Sequence, residues 1–508
     1  MGTLALSLTG VSAGWLIPQQ LIEVSLAQGA VMGATGTPRI LLMGVKSTAG
    51  GGTATPDTTV YGPLSVERDL VTYFGNKSEI HLMWREIAAK CPTALIYAIA
   101  VTESAGVVAA GTMVFGAGPA TTQGTFTFWI CGQKFSIGIS VGDTATVAGD
   151  ALALAINSAY LPVIAVNTLG SVAITYRRKG TNGNFVRYHG VLVGGTGLTM
   201  VIAASTLAAG AVDEVYTTAL ATIAPDRYHY IVPAINPTTT ADTRFAALST
   251  QLATLVLPTT GIRQQCVLCT PETLGNATTL VTTYNKFHNQ VLWQKNSEME
   301  PCMIAAQWMG VRYLTETGGS PHASYDNYGS IPADNWTVPC QYLQSDFPSA
   351  VDINTALSVG LTPIAAQKGG TGKTYVVMSC TAQGADPRIR DTCKVTVVYR
   401  FADDLAAKDA SIYPRAHVAD DPVVGAKVPP VDVCTPQREQ ANVINPLLYQ
   451  YRDNGWLTDV DTPVTGSIAS TAVGIDPVVV TRINARIPLK VAAIRHQAAF
   501  LVSEVSSG

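Results

Sequence analysis

The sequence predicts a mixed α+β and α/β fold of several domains, with an open α/β sheet, an inserted α+β module and extended arms at both ends. Its 508 residues are enough for roughly three domains. From Val212 onward, apolar strand-like runs alternate with helical patterns, which is typical of an open α/β sheet. Between residues 107 and 207, apolar residues instead alternate at period two around one helical stretch. This change of pattern indicates a separate unit inserted into the sheet.

The composition indicates a protein with little surface charge. Charged residues make up 13% of the chain, about half of the ~25% typical of soluble proteins. The 32 Lys and Arg nearly balance the 35 Asp and Glu, giving a net charge of -3, so the basic excess needed to bind nucleic acid is missing. A weakly charged surface costs little to desolvate, and we therefore expect much of it to be buried against other subunits.

The apolar residues do not predict a membrane protein, although the mean hydropathy is +0.24. Every apolar run is interrupted before the roughly 18 residues of a spanning helix, and Met1 to Pro18 lacks the basic residues of a signal peptide. We expect no membrane insertion and folding in a reducing cytoplasm. The nine cysteines are scattered and lie mostly in apolar segments, which predicts buried thiols.

The first two units are an arm and the beginning of the body. Residues 1–36 are too mixed to form a core of their own and are predicted to be an extended arm. Residues 37–106 form the first part of the body, with a buried strand over 39–45, helices over 65–74 and 79–90, and a strand over 94–101.

The next units are the inserted module and the sheet. In residues 107–207 a hairpin turns at Cys131 and Gly132, a helix spans 146–160, and Val172, Ile174 and Tyr176 alternate on a strand. Residues 208–345 alternate between helices and strands and end in a Pro-, Asn- and aromatic-rich loop. The predicted elements are helices ending at 223 and over 243–255, 273–284 and 302–313, and strands over 228–232, 265–269 and 290–293.

Residues 346–508 form the last unit, which ends in a second arm. We predict a helix over 351–359, a strand over 374–379, a helix over 397–408 and a strand-like run over 486–502.

The sequence from Gly369 to Thr374 ends like a phosphate-binding loop. However, Gln367 occupies the position of the first glycine, and the residues after Thr374 predict a strand rather than the helix whose N-terminus would bind phosphate. The preceding segment carries Pro363 and does not predict a strand. A hairpin turn is therefore the better interpretation.

Other reactive residues also favour structural roles. Cys266 and Cys269 have zinc-like spacing, but no second ligand pair follows, so they are predicted to be core thiols. His229 and His288 lie in or beside predicted strands and lack paired spacing. The acidic pairs Asp403-Asp404 and Asp420-Asp421 are predicted to be solvated surface. We expect no catalytic, cofactor-binding or metal site.

The order of these parts resembles that of contractile phage tail sheath proteins of the Mu-like (gpL-type) family. The resemblance rests on the arm with Ile17-Pro18, the insert from 124 to 184, the stretch from Asn354 to Pro363, Asp386 to Asp391, and the closing Arg486-Ile487-Pro488. It extends over nearly the whole chain. It implies a discontinuous sheath core with strand-exchange arms.

The resemblance also implies how subunits join. Each arm would add a strand to a sheet of a neighbouring subunit, hinged near 29–36 and 460–474. The interface residues would be Leu21, Ile22, Val24 and Leu26 in the N-terminal arm and Ile494, Phe500, Leu501 and Val502 in the C-terminal arm.

The implied assembly is a homo-oligomer, a helical stack of rings around an inner tail tube protein, ending at baseplate and tail terminator proteins. It would be built in the host cytoplasm, form part of the virion, and contract from a metastable extended state to drive the tube through the host envelope. The implied role needs no cofactor.

Two alternatives remain open. Another self-assembling virion shell or surface-layer protein would share the low charge but form sheets rather than contractile tubes. An enzyme with a degenerate phosphate loop would bind a nucleotide, and Lys373→Ala would abolish that binding.

Overall fold

The computed structural model describes residues 37–237, 242–317, 347–366, 374–384, 386, 389–423, 427, 429–430 and 432–491. The strands are β1 (Arg39–Val45), β2 (Val60–Tyr61), β3 (Leu95–Val101), β4 (Val108–Ala117), β5 (Gly124–Ile130), β6 (Gln133–Ile139), β7 (Val163–Thr168), β8 (Ser171–Lys179), β9 (Tyr188–Gly194), β10 (Leu198–Ile202), β11 (Tyr230–Pro233), β12 (Gln265–Thr270), β13 (Asn289–Trp293), β14 (Leu361–Ala366), β15 (Thr374–Val376), β16 (His417–Val418), β17 (Val433–Cys434), β18 (Ala472–Ile475) and β19 (Ile483–Arg486).

The helices are α1 (Glu67–Phe74), α2 (Glu79–Lys90), α3 (Ala145–Ser158), α4 (Thr217–Ile223), α5 (Thr243–Leu255), α6 (Leu274–Thr283), α7 (Pro301–Thr317), α8 (Ala350–Val359), α9 (Thr392–Ile412), α10 (Pro436–Arg438) and α11 (Asn445–Asp453). A 3₁₀ turn spans Thr181–Phe185, and a π-helical segment, Glu439–Ile444, joins α10 to α11.

The largest sheet has eight strands in the order β15-β14-β13-β12-β11-β1-β3-β2. The six strands from β14 to β3 are parallel, and the strand at each edge is antiparallel. Helices connect the parallel strands, as parallel pairing requires. The open α/β sheet predicted from the sequence is confirmed.

Helices cover both faces of this sheet. Ile40 and Leu42 of β1 pack with α1, α2, α7 and α9. Leu41 and Met43 point to the opposite face and pack with α4, α5, α6 and α8. Because both faces are buried, β1 is a continuous apolar run rather than an alternating one.

The chain between β3 and α4 forms two smaller antiparallel sheets, β10-β4-β8-β7 and β6-β5-β9. Helix α3 contacts strands of both sheets, and its Leu152 shares a core with Phe115, Phe126 and Ile174. The hairpin predicted at Cys131 and Gly132 is confirmed, with both residues at positive φ, as a two-residue turn between twisted strands requires. We call residues 107–207 the inserted module. The domain boundaries drawn from the sequence stay predictions.

Three predictions for the last part of the chain need correction. Helix α9 spans Thr392–Ile412 instead of 397–408, because Asp391 caps its N-terminus by accepting a hydrogen bond from the backbone N–H of Cys393. Strand β15 ends at Val376, not at residue 379. The strand predicted to begin at Arg486 ends there, two residues before Pro488, which has no N–H to donate to a strand ladder.

The segment around Pro363 is strand β14, contrary to the sequence prediction. Pro363 lies opposite Trp293 of the parallel neighbour β13. Its carbonyl accepts the N–H of Val377, just beyond the end of β15. The N–H and C=O groups of one strand residue point to the same side of the strand. The missing N–H of Pro363 would therefore point towards the place where the short edge strand β15 has already ended. For this reason the sheet tolerates a proline at this position.

Candidate functional site

The eight predicted interface residues all lie outside the described residues: Leu21, Ile22, Val24, Leu26, Ile494, Phe500, Leu501 and Val502. The structure does describe the points from which the two arms continue. On the N-terminal side, Tyr313 donates its hydroxyl to the carbonyl of Pro38 at 2.8 Å, directly before β1. On the C-terminal side, Val491 pairs with Leu457 in an antiparallel bridge. Both attachment points are therefore fixed to the body.

The hairpin of β18 and β19 is a sheet of two strands. Its register pairs Val473 with Ala485 and Ile475 with Ile483, and Val473 and Ala485 pack against the main core. The described part of the chain supplies no third strand to either edge. Two strands alone have one row of unused backbone groups on each side, which is the arrangement that strand addition needs.

The register identifies the outward backbone groups. The N–H of Asp476 donates to the carbonyl of Arg482 at 2.8 Å, so these two residues turn their backbone groups towards each other. Backbone groups alternate in direction along an antiparallel strand. Val473 and Ile475 therefore direct N–H and C=O to the free edge of β18, and Ile483 and Ala485 direct theirs to the free edge of β19.

Asp476 closes the turn between these strands. Its carboxylate accepts backbone N–H groups from Val478 and Val479, both at 2.8 Å, the amide of Asn484 at 2.8 Å, and the guanidinium of Arg482. Burial would raise the pKa of Asp476, but the hydrogen bonds from Arg482, Val479 and Asn484 outweigh it and hold the pKa well below its usual range. Asp476 is therefore ionised, and its carboxylate holds the turn of the hairpin in place.

Asp476→Ala is expected to loosen the hairpin and lower the free energy of unfolding by about 2 kcal/mol, since it removes charge-assisted hydrogen bonds. Because folding lowers the pKa of Asp476, its contribution is complete above the unfolded pKa and is lost as the pH falls through the folded pKa. Urea unfolding at neutral pH measures the loss. Equal stability of Asp476→Ala and wild type would contradict this role.

The turn of the hairpin carries exposed apolar side chains. Val478 is 63% exposed and Val480 is 70% exposed. Exposed aliphatic groups next to open strand edges favour a surface that another chain covers.

A second candidate site is the buried contact between the inserted module and the body, which we call the junction. Arg178 of β8 lies 2.6 Å from Glu79 at the start of α2 and 2.7 Å from Glu214, which precedes α4. Arg244 of α5 lies 3.1 Å from Glu214 and 2.8 Å from Asp242. Burial would raise the pKa of Glu214, but Arg178 and Arg244 outweigh burial and lower it.

Neutral groups complete the junction. Tyr176 of β8 lies 2.7 Å from Glu79 and 2.5 Å from Glu300, which precedes α7. Asn182 donates its amide to the carbonyl of Ala234 at 2.7 Å. The module therefore contributes a cation and two polar groups, while the body contributes the carboxylates.

Sequence reasoning missed the junction, although the sequence contains a signal for it. The alternation of Val172, Ile174 and Tyr176 places Arg178 on the same inward face of β8. An arginine at an inward position predicts a buried partner. Its carboxylates, Glu79 and Glu214, are distant in sequence, so only the tertiary structure identifies them.

The motif from Gly369 to Lys373 lies outside the described residues. The residues on either side are described: Ala366 of β14 pairs with Thr374 of β15 in antiparallel fashion. Thr374 begins a strand, as predicted, and not the helix that a phosphate-binding loop requires.

The prediction that the cysteines are buried thiols is confirmed for those that the structure describes. Cys266 and Cys269 are fully buried in β12, and burial raises the pKa of Cys266 to about 12. His288 donates Nε2–H to the carbonyl of Ser249 at 3.2 Å, and burial lowers its pKa to about 4. His229 accepts the backbone N–H of Arg39 at 3.1 Å through Nδ1. Within the described ranges, no three His, Cys, Asp or Glu side chains form a metal cluster.

The prediction that Asp403 and Asp404 are solvated is wrong. Asp403 forms ion pairs with Arg227 and with Arg263, the latter at 3.1 Å. Asp404 is buried and accepts the hydroxyl of Tyr451 at 2.6 Å. These partners are far away in sequence, so the adjacent acids alone gave no indication of them. Asp420 is exposed, as predicted.

Comparison with known proteins supports the resemblance seen in the sequence. No family model matches the chain. The Mu-like prophage FluMu tail sheath protein of Haemophilus influenzae is 26% identical over 183 residues, which are 36% of this chain and 37% of that protein. The match therefore spans little more than a third of the relative. Over that part, the resemblance to a Mu-like tail sheath protein is confirmed.

Among solved structures, the sheath tail protein Lin1278 from Listeria innocua aligns over 91% of this chain and 93% of its own, with 11% sequence identity and a TM-score of 0.47.

Among the described helices, none combines the length and apolarity needed to cross a lipid bilayer.

Proposed function

We propose that this chain is the structural subunit of a contractile tail sheath, which polymerises into a helical tube around an inner tail tube. The observation that carries the proposal is the hairpin of β18 and β19, whose two edges receive no third strand from the described residues. The sequence match to a Mu-like prophage tail sheath protein supports it independently.

The arms would join subunits by strand addition. Segment 21–26 of one subunit pairs with one edge of a neighbour's hairpin, and segment 494–502 of another subunit pairs with the other edge. Each hairpin then becomes the centre of a four-stranded sheet built from three chains. Backbone pairing of this kind needs few charges, in agreement with the low charge of the chain.

Contraction follows from such linked subunits. Bodies that remain connected through paired strands can slide from a metastable extended packing to a compact packing of lower free energy without losing their neighbours. No nucleotide is consumed. The partners would be copies of this chain, an inner tail tube protein, and baseplate and tail terminator proteins, in a virion assembled in the host cytoplasm.

Deletion of residues 1–25 tests the proposal. It removes Leu21, Ile22 and Val24, and is expected to abolish tube formation while the body stays folded, because the clusters that form the described core are built from residue 40 onward. Negative-stain electron microscopy at rising protein concentration reads the assembly, and circular dichroism reads the fold. Deletion of residues 1–10 is the matched control, since it retains the predicted strand. Normal tubes from the longer deletion would contradict strand exchange.

A further inference from the structure

The junction contains more buried acid than base. Arg178 lies between Glu79 and Glu214, and Arg244 lies among Glu214, Asp242 and Asp213. Each guanidinium is therefore shared by at least two carboxylates. No ion pair joins either guanidinium to Glu300, whose residue is 2% exposed. Burial of a carboxylate without a cation is costly, so the excess negative charge has to be neutralised in another way.

The hydrogen bonds of Tyr176 show how this excess negative charge is neutralised. The single phenolic proton of Tyr176 serves only one carboxylate, yet its oxygen lies within hydrogen-bond distance of Oε1 of Glu79 and Oε1 of Glu300. Burial raises the pKa of Tyr176 well above its usual range, so the phenol keeps its proton. The second short contact therefore requires a proton on one of the two carboxyl groups.

The surroundings place that proton on Glu300. Burial raises the pKa of Glu79 too, but the charge of Arg178 opposes this effect. Oε1 of Glu79 also accepts Nε–H of Arg178 at 2.6 Å and the amide of Asn182 at 3.3 Å, and both bonds favour the carboxylate. Among the described residues, Oε1 of Glu300 forms a hydrogen bond with Tyr176 alone. The buried Oε2 of both glutamates lacks a partner there, so the two carboxyl groups differ at Oε1. Tyr176 then donates to Glu79 and accepts from protonated Glu300.

We infer that the junction is a proton-dependent lock, in which one proton held by Glu300 fastens Tyr176 of the inserted module to the body and its loss at alkaline pH loosens the module. Deprotonated Glu300 can no longer donate to Tyr176, and its new charge repels Glu79. The inference concerns the single chain and is independent of the proposed function.

A cavity lies beside Glu300. A space of about 120 Å³ lies between α2, the beginning of α7 and the inserted module, and Glu300 lines it with Arg85, Glu86, Cys131 and Gln133. This volume holds several water molecules. They provide a path by which the buried carboxyl can exchange its proton with solvent.

The effects of neighbouring groups on the pKa of Glu300 also favour a proton on this residue. Burial and the charge of Glu79 raise its pKa to about 8, against opposing effects of Tyr176 and Arg178. The other charged or titratable groups near it are Glu86 and Arg85 of α2, Cys131 of the module, Glu298 with Arg187 and His189, and Cys302 of α7.

The direction of the pH effect on stability follows from the raised pKa of Glu300. Folding raises the pKa of Glu300 above its unfolded value of about 4.5, so its stabilising contribution is complete below that value and is lost as the pH rises through about 8. The lock is therefore closed in acid and at neutral pH, and opens at alkaline pH.

Infrared difference spectroscopy of the full-length chain between about pH 6 and pH 10 tests the lock. We expect the carbonyl band of a protonated carboxyl to disappear with a midpoint near pH 8 and to be absent from Glu300→Gln. Its amide can still donate to Tyr176 without titrating, so this variant should stay fastened. At pH 9.5, hydrogen exchange in β8 should be slower in Glu300→Gln than in wild type.

Two results would overturn the inference. One is a wild-type spectrum at pH 6 without a band that titrates near pH 8, which needs no variant to fold. The other is equal exchange of β8 in wild type and Glu300→Gln at pH 9.5. Glu86→Gln is the matched control, because Glu86 lines the same cavity but does not contact Tyr176, and it should leave the band at pH 8 unchanged.

Discussion

Ala485→Pro is expected to abolish tube formation and leave the subunit folded. Ala485 directs its N–H to the free edge of β19, so proline removes a donor that only a neighbouring strand would use, and its own hairpin bonds remain. The preceding Asn484 is in a strand, where a residue before proline is tolerated. Negative-stain microscopy measures tubes, and urea unfolding measures the subunit.

Ala485→Ser is the matched control, since it changes the side chain at the same position and keeps the N–H. It should form tubes like wild type. Val473→Pro, compared with Val473→Thr, applies the same test to the edge of β18. If both proline variants form normal tubes, neither edge receives a strand, and the arms join subunits elsewhere. Loss of tubes in only one variant would identify the edge that assembly requires.

Arg178→Ala is expected to cause the largest loss of stability, about 3–5 kcal/mol. It leaves Glu79 and Glu214 buried without the guanidinium that lies 2.6 and 2.7 Å from them. It also removes a donor to the carbonyl of Ala234 at 3.1 Å. Chemical unfolding of the full-length chain, followed by circular dichroism, measures the change.

Arg177→Ala is the matched control on the same strand. Arg177 points to the opposite face of β8 and donates Nε–H to the carbonyl of Leu161 at 3.3 Å, so we expect a loss of about 1 kcal/mol or less. Similar losses of stability in the two variants would mean that burial does not make Arg178 more important for stability than Arg177. A triple variant, Arg178→Met with Glu79→Gln and Glu214→Gln, should recover part of the lost stability, because it leaves none of these three charges buried.

Local signals predicted several elements correctly. Helices α2 and α5 have the predicted bounds because Ser78 and Asp242 cap their N-termini through their own side chains. The turn at Cys131 and Gly132 was predictable because two alternating runs meet there. In each case the signal lies within a few residues of the feature.

Elsewhere the tertiary structure overrode local preference. Helix α9 contains Val395, Thr396, Val397 and Val398 in a row, a sequence that favours a strand. It is helical because Val395 and Val397 are buried in the layer that covers the main sheet. Strand β14 tolerates Pro363 only because its neighbour β15 is short.

The sequence by itself determined the alternation of strands and helices, the hairpin of the inserted module and the resemblance to Mu-like tail sheath proteins, because periodicity, caps and turn residues act over short distances. The tertiary structure alone decided which strands stay at an edge of a sheet. It alone also decided that Arg178 pairs with the carboxylates of Glu79 and Glu214. Pairing and burial depend on residues brought together from distant parts of the chain, and no local pattern specifies those neighbours.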